Sequence, residues 1–502
     1  MSIASGFASL NYLKSPYPAG YVDLVVQRNL RIEACSRVPM SQTGDKKVKC
    51  IVPIRSKTRQ FRLFNSVELD RVLTSGDEDE IGEGFFEAIE ELERMTREPS
   101  DILEEMNDRL SVRELQLVLV YFSQEGRDSW CALEVFEWLK KENRVDKETM
   151  ELMVSIMCGR VKKMIEDEKD VREVVDLLVD MDCVGLTPNF SMMEKAISVY
   201  WDLGKKDHAL SFVKEVLTRG IPCLEDGGDD RHKGGPAGYL AWKMMEEGNY
   251  RDAVKLVIHL RETGLKPETY SYLIAMTAVV KELNEVGKAL WKLKGFAKDG
   301  FIEGLGGENI ELVKKYQSDV LEEGIQMASW VAEEGNTSVL SLVHEKLLAM
   351  YICAGRGLEA ERQLWEMKVT GKEVQRHVYD IVLAICASQG EAGAVSRLLA
   401  RLEATSASGK KKTLTWLLRG YIKGGNFEDA AETVTKMLDM GLSPERLDRI
   451  AVLQGLRRKI QQPGHAGTYL RFCRRLSDAE LIGPCLVYMY IKKYRLWIAK
   501  MV

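Results

Sequence analysis

An alanine set 11 residues ahead of a glycine recurs along this chain, and no other feature limits its fold so tightly. The pairs are Ala209–Gly220, Ala253–Gly264, Ala289–Gly300, Ala360–Gly371 and Ala430–Gly441, and Ala132 precedes Asn143 by the same interval. The glycines also keep a period. Gly185 to Gly220 is 35 residues, Gly264 to Gly300 is 36, and Gly371 to Gly441 is 70, with Ser406 at the midpoint and Asn336 as the step between Gly300 and Gly371. Two steps are longer, 42 residues from Asn143 to Gly185 and 44 from Gly220 to Gly264. Their excess falls around MIEDEKD and in EDGGDDRHKGG, where a longer loop costs little extra closure entropy.

Each unit reads as a helical hairpin. Ala430, Val434, Met437 and Leu438 fall on one helical stripe, and the glycine that follows can take the left-handed conformation that ends a helix. Pro188, Pro267 and Pro444 come three residues after their glycines and keep the helix from resuming. The preceding stretch, such as TLTWLLRGYIKGG, supplies the first helix, and the alanine lets the two helices of a unit approach closely. One such hairpin cannot bury its apolar face alone, so neighbours stack into a solenoid. With 502 residues, 45% of them hydrophobic and 29% charged, the chain suits a soluble, folded array. The longest apolar run near the C-terminus, Leu481 to Ile491, falls short of the roughly 18 residues that cross a bilayer, so no membrane span is expected.

These features resemble the pentatricopeptide-repeat family. Tetratricopeptide and ankyrin arrays repeat at about 34 and about 33 residues, whereas two consecutive steps here sum to 70. GLTPN (185–189), GLKPE (264–268), GLSPE (441–445) and WCALEVFEWL (130–139) look like segments of that family. The resemblance covers residues 110–445. It implies an all-α fold, a right-handed α-solenoid of about eight to nine helix-turn-helix repeats with helical caps.

The resemblance also implies single-stranded organellar RNA as a partner, one base being read per repeat by two or three side chains. The chief reader would be the fifth residue of a repeat, paired with the repeat's last. Carried over one unit at a time, the reading position falls on Thr415, with Glu445 at the end of that unit, and on Ser271. In other units it falls on Glu345, Asp380 and Glu194. Carboxylates along a groove for phosphates would oppose binding; their other reading is a solvated helix face.

Charge is unevenly spread. Residues 1–62 hold 11 Lys/Arg, three acids and seven serines, the pattern of an organellar transit peptide or of a disordered tail. The first 27 residues carry one lysine and no arginine, which favours a chloroplast address over a mitochondrial one. The segment 63–109 is acidic and helical, and its stretch 77–94 is either a cap or a partner-binding element. After the solenoid (110–445), residues 446–502 form a basic helical cap with 12 Lys/Arg against three acids. That leaves the body 63–445 at −22 against a chain total of −5, and places the candidate polyanion site at the basic end. There Arg457, Arg458, Lys459, Arg471, Arg474, Arg475, Lys492, Lys493 and Arg495 interleave with Tyr469, Phe472, Tyr490, Tyr494 and Trp497. Cations can hold phosphates while rings stack on unpaired bases; alternatively, the aromatics close the solenoid core.

No catalytic module is expected. The ten cysteines are scattered without a C-x-x-C, which fits small core residues in a reducing compartment. H-x-E and C-x-x-C, needed for a zinc deaminase, are absent after Glu445, and only Asp448, Asp478 and Glu480 supply carboxylates there. No metal or other cofactor is implied. Two functions remain: a non-catalytic RNA-binding adaptor in organellar transcript processing or intron splicing, with protein partners in an RNA-processing complex, or a protein-interaction scaffold without RNA contact.

Overall fold

The computed structural model describes residues 83–94, 96–122, 129–222, 234–298, 306–335, 337–403, 409–459 and 465–483. All regular structure among them is helical. The segment 1–62, Gly300, Ser406, Asn336, Lys492, Lys493, Arg495 and the aromatics Tyr490, Tyr494 and Trp497 lie outside the described residues.

Two compact units emerge. One takes its described residues from 83–247 and 255–271, the other from 248–254 and 272–483. The first begins with α1 (Glu83–Arg94) and α2 (Pro99–Met106). Helix α1 buries Phe85, Ala88, Ile89 and Leu92, so most of the acidic stretch 77–94 that is described packs as part of the fold. Hairpins follow: α3 (Val112–Phe122) with α4 (Ser129–Lys141), α5 (Lys147–Glu166) with α6 (Val171–Cys183), and α7 (Phe190–Asp202) with α8 (Lys206–Arg219). Then come α9 (Gly235–Glu246) and α10 (Tyr250–Glu262). Short polar side chains start several of these helices: Asp146 accepts from the Thr149 backbone N–H at 2.7 Å and Asn189 from that of Met192 at 3.0 Å, each satisfying a donor that the first turn leaves open.

The expected turns are in place. Asn143, Gly185, Gly220, Gly264, Gly371 and Gly441 all have positive φ. At Gly441 the chain closes with Gly441 N–H donating to Leu438 O at 3.0 Å and Leu442 N–H to Met437 O at 2.8 Å, the bonding that caps a helix through a left-handed residue. Ala132, Ala209, Ala253, Ala360 and Ala430 are fully buried. A second ladder, unread in the sequence, turns the chain inside the hairpins at Gly204, Gly248, Gly355, Gly390 and Gly425.

One stretch departs from the expected pattern. Two short hairpins were expected between Gly264 and Asn336, with Ala289 buried in one of them. Instead α11 runs unbroken from Thr269 to Lys298 and α12 from Gly306 to Glu333. They lie antiparallel: the Tyr272 and Trp330 rings are 5.9 Å apart, and Tyr316 Oη donates to Glu282 Oε1 at 2.6 Å. Ala289 is exposed on α11. The segment around it, KELNEVGKALWKL, has no proline and one glycine, which lowers helix stability by about 1 kcal/mol and does not stop the helix. The chain resumes short hairpins with α13 (Thr337–Ala354) and α14 (Gly357–Val369), α15 (Arg376–Gln389) and α16 (Ala392–Glu403), and α17 (Lys410–Gly424) and α18 (Phe427–Asp439). Helices α19 (Arg446–Lys459) and α20 (His465–Asp478) add a further hairpin beyond Glu445. Its Val452, Leu456, Tyr469, Phe472 and Leu476 join one apolar core with Leu364, Val382, Leu417 and Val434.

Helices α15 and α17 press together with little side chain between them. A Cβ on Gly420 would lie 2.8 Å from Ala384 Cα and 2.9 Å from Ala387 Cβ, and one on Gly424 would lie 2.9 Å from Ser388 Cα. Helix α15 is buried without a break from Asp380 to Ala387. On another side it packs Ile381, Ala384 and Ile385 against Trp416 of α17.

Candidate nucleic-acid interface

The carboxylates expected along a groove are turned to internal use. Asp380, near the start of α15, is 1% exposed. It accepts a hydrogen bond from Thr413 Oγ1 of α17 at 2.7 Å, and Arg376 Nη2 approaches the same hydroxyl at 3.3 Å. Burial pushes the Asp380 carboxyl above its ordinary range, while Thr413, Arg376 and Lys412 pull the other way. Asp380 is therefore neither a base reader nor a solvated charge, because the close approach of α15 and α17 covers it. Glu345 pairs with Lys372, whose Nζ also donates to Ser341 Oγ at 2.6 Å. Arg419 donates to Glu445 Oε2 at 2.7 Å and lies 3.3 Å from Asp448 Oδ2. The mostly buried Asp448 is likewise raised by burial and held down by Arg419. Glu194 is half-buried beside Tyr239. A carboxylate matched in this way repels a polyanion far less than a bare one.

The two neutral reader candidates fare differently. Ser271 is 0% exposed and its hydroxyl is buried without a hydrogen-bond partner, so it cannot meet a base edge. Thr415 is half-buried and donates to Lys411 O at 2.8 Å, one turn back along α17.

The basic end divides into two faces. Tyr469 and Phe472 are each 3% exposed and belong to the core. They do not stack on bases: α20 is amphipathic, and its aromatic side faces α18 and α19. Lys459 serves structure, donating to Gly425 O at 3.0 Å with its Nζ 5.7 Å from the Phe427 ring centroid. Arg475 pairs with Asp439, and Arg471 approaches Thr468 Oγ1 at 3.4 Å. Arg457, Arg458, Arg471 and Arg474 are exposed. The sequence reading passed over a further basic group, the run Lys410–Lys411–Lys412 that opens α17, which has no acid in its first turn. The triple lysine itself was the available signal.

Among the described residues no three His, Cys, Asp or Glu side chains gather so as to hold a metal ion, and no helix there is long and apolar enough to cross a membrane.

Helical hairpins with left-handed turns and buried alanines, ending in a hairpin that exposes arginines, define a helical-repeat protein with a basic C-terminal hairpin. No family model matches the chain. It is 63% identical over 455 residues, 89% of its own length and 90% of the other's, to a chloroplastic pentatricopeptide repeat-containing protein of Arabidopsis thaliana. At that identity and span the chain belongs to the pentatricopeptide-repeat family, and it is a chloroplast protein. Among solved structures it is similar to the pentatricopeptide repeat protein PPR10 in complex with an 18-nucleotide psaJ RNA element, at 15% identity and a TM-score of 0.27, covering 85% of this chain and 58% of that one. Against PPR10 from maize the values are 14%, 0.21, 86% and 68%. Family membership rests on the Arabidopsis relative.

Proposed function

We propose that this chain is a non-catalytic RNA-binding adaptor of the chloroplast, acting in transcript processing or intron splicing. The observation that carries this reading is the exposed arginine set of α19 and α20: Arg457 and Arg458 in the last turn of one helix, Arg471 and Arg474 on the solvent side of the other. Arginines placed so hold phosphates irrespective of sequence. Family membership supports RNA as the polyanion, and PPR10, a member of the same family, is known as an RNA complex. The burial of Asp380 and Ser271 supports a recognition driven, at those two repeats, by charge more than by a base code. Cross-linking with sequencing from isolated chloroplasts tests the proposal: specific transcripts should be recovered, and truncation after Glu445 should weaken their attachment. Absence of RNA cross-links on the full chain would refute it.

A second reading, a protein scaffold without RNA contact, is favoured by one feature. Leu358, Trp365 and Val369 stand exposed on a single stripe of α14, Trp365 at 53% and Val369 at 72%. A scaffold would co-purify with defined proteins regardless of nuclease treatment.

A further inference from the structure

Helix α14 differs from its successors on the side turned to solvent. Ala360, Val395 and Ala430 follow one another at the repeat interval of 35 residues and are all buried, so the same step identifies equivalent positions on α14, α16 and α18. Around Ala360, α14 carries Leu358, Trp365 and Val369, exposed at 42%, 53% and 72%. The equivalent residues of α18 are Glu428, Thr435 and Asp439, which suit water. On α16 the first two are Gly393 and Ala400, both exposed. A ridge of large apolar side chains therefore stands beside a strip with almost none, and single apolar residues scattered at random would not give that pairing.

Ridge and strip lie side by side. Arg397 forks onto Glu361 with both bonds at 2.7 Å, and the Arg401 guanidinium is 4.3 Å from the Trp365 ring centroid. Both contacts span the same interval in sequence, so the two helices run parallel, and Trp365 stands level with the turn that carries Ala400 and Arg401.

This arrangement is complementary to itself. A two-fold axis along the groove between α14 and α16 lays each α14 on the other copy's α16 without changing height, so Trp365 of one copy meets Ala400 of the other. An isologous contact of this kind uses one patch twice. Charge agrees. Helix α14 holds three acids and two bases, and α16 holds two bases and one acid, so the acidic helix crosses onto the basic one and the face as a whole is balanced. Balance matters in a chain whose body 63–445 carries −22, because two like-charged faces would repel. A strongly charged partner gains nothing from a balanced face, which favours a second copy over an acidic or basic protein.

We propose that the face formed by α14 and α16 is a homodimer interface in which the Leu358–Trp365–Val369 ridge of each copy seats on the Gly393–Ala400 strip of the other. The proposal goes beyond the function above and holds with or without RNA. It assigns the α14 stripe to a copy of the same chain rather than to another protein. Two helices about 20 Å long and about 10 Å apart offer a footprint of about 400 Å² per copy. That size belongs with transient interfaces, under about 1,200 Å² in total, so the dimer should be weak.

Sedimentation equilibrium of the full-length chain over about 1–100 µM, the range such a contact implies, tests this. Wild type should pass from monomer to dimer. Trp365→Ala and Ala400→Glu should each raise the dissociation constant about tenfold or more, as loss of an interface anchor does. Ala400 is exposed in the free chain, so its variant should keep the wild-type thermal midpoint. Leu312→Ala, which trims a side chain 70% exposed on α12, should leave the dimer unchanged. Should Trp365→Ala fail to fold, Val369→Ser reads the same ridge. A dimer weakened by Trp365→Ala but not by Ala400→Glu overturns the proposal, because α16 is then not the seat. A dimer that dissolves on ribonuclease treatment is bridged by RNA and also overturns it. A wild type that stays monomeric throughout overturns it too and leaves the ridge to another protein or to another segment of this chain.

Discussion

Replacing Gly424 by alanine should destabilise the protein, although the same exchange in an open helix stabilises. In an unobstructed helix Gly→Ala contributes about 0.5–1 kcal/mol of stability. At Gly424 the new methyl would sit 2.9 Å from Ser388 Cα, against roughly 3.5–4.0 Å for comfortable carbon contacts. Helices α15 and α17 must therefore part by about 1 Å. The obstructing atoms are backbone, so no side chain can rotate away. Forcing a methylene-sized group into a packed contact costs about 1–3 kcal/mol, which exceeds the intrinsic gain. We expect a net loss of about 1–2 kcal/mol. Gly420→Ala, facing Ala384 Cα at 2.8 Å, should behave alike, and the double variant should lose less than the sum, since one separation of the helices relieves both clashes. Gly159 on α5 is the control: nothing stands within 4 Å of a Cβ there, so Gly159→Ala should gain up to about 1 kcal/mol. Urea unfolding followed by far-ultraviolet circular dichroism gives the midpoints for all four variants. If Gly424→Ala and Gly420→Ala raise the midpoint as Gly159→Ala does, the close seat of α15 on α17 is wrong.

Burial lowers the Lys346 pKa to about 8, with Lys281 adding to the effect and Glu345 opposing it. The folded state therefore resists the charged form, stability should rise as pH climbs from about 8 toward 10.5, and the advantage of Lys346→Met at pH 7 should shrink over that window in pH-dependent unfolding. Thr413→Val removes the donor to buried Asp380 and should cost about 1–3 kcal/mol at pH 7, less near pH 3, because the Asp380 pKa is already raised and a protonated carboxyl tolerates the loss; midpoints at the two pH values check this. Lys459→Met gives up the bond to Gly425 O and should cost about 1 kcal/mol of stability while leaving the salt slope of RNA binding unchanged.

How much was legible follows from what each signal depends on. The turns at Gly185, Gly220, Gly264, Gly371 and Gly441 were readable because a helix end that needs positive φ selects glycine from the local chain alone. Ala132, Ala209, Ala253, Ala360 and Ala430 were readable for a similar reason, since a tight hairpin admits only a small side chain. Ala289 failed because helix continuation through 283–293 depends on propensity over many residues, not on one glycine; Gly300 lies outside the described residues. Asp380 and Ser271 were misplaced because the side of a first helix that is covered depends on the neighbouring hairpin; for Tyr469 and Phe472 the sequence left base stacking and core closure both open, and they close the core. Gly420 and Gly424 could have supplied the warning: two small residues four apart on α17 mark the side where another helix lies close, and Asp380 sits on that neighbour.

The Asp380–Thr413–Arg376 cluster has a consequence for anyone wishing to reprogram this chain. At a free reading position, one substitution swaps one preferred letter for another. Here the side chain at that position is a structural rivet shared by two consecutive hairpins, so editing it would loosen the fastening before it altered any preference. Retargeting must begin with its two companions, or leave this repeat alone.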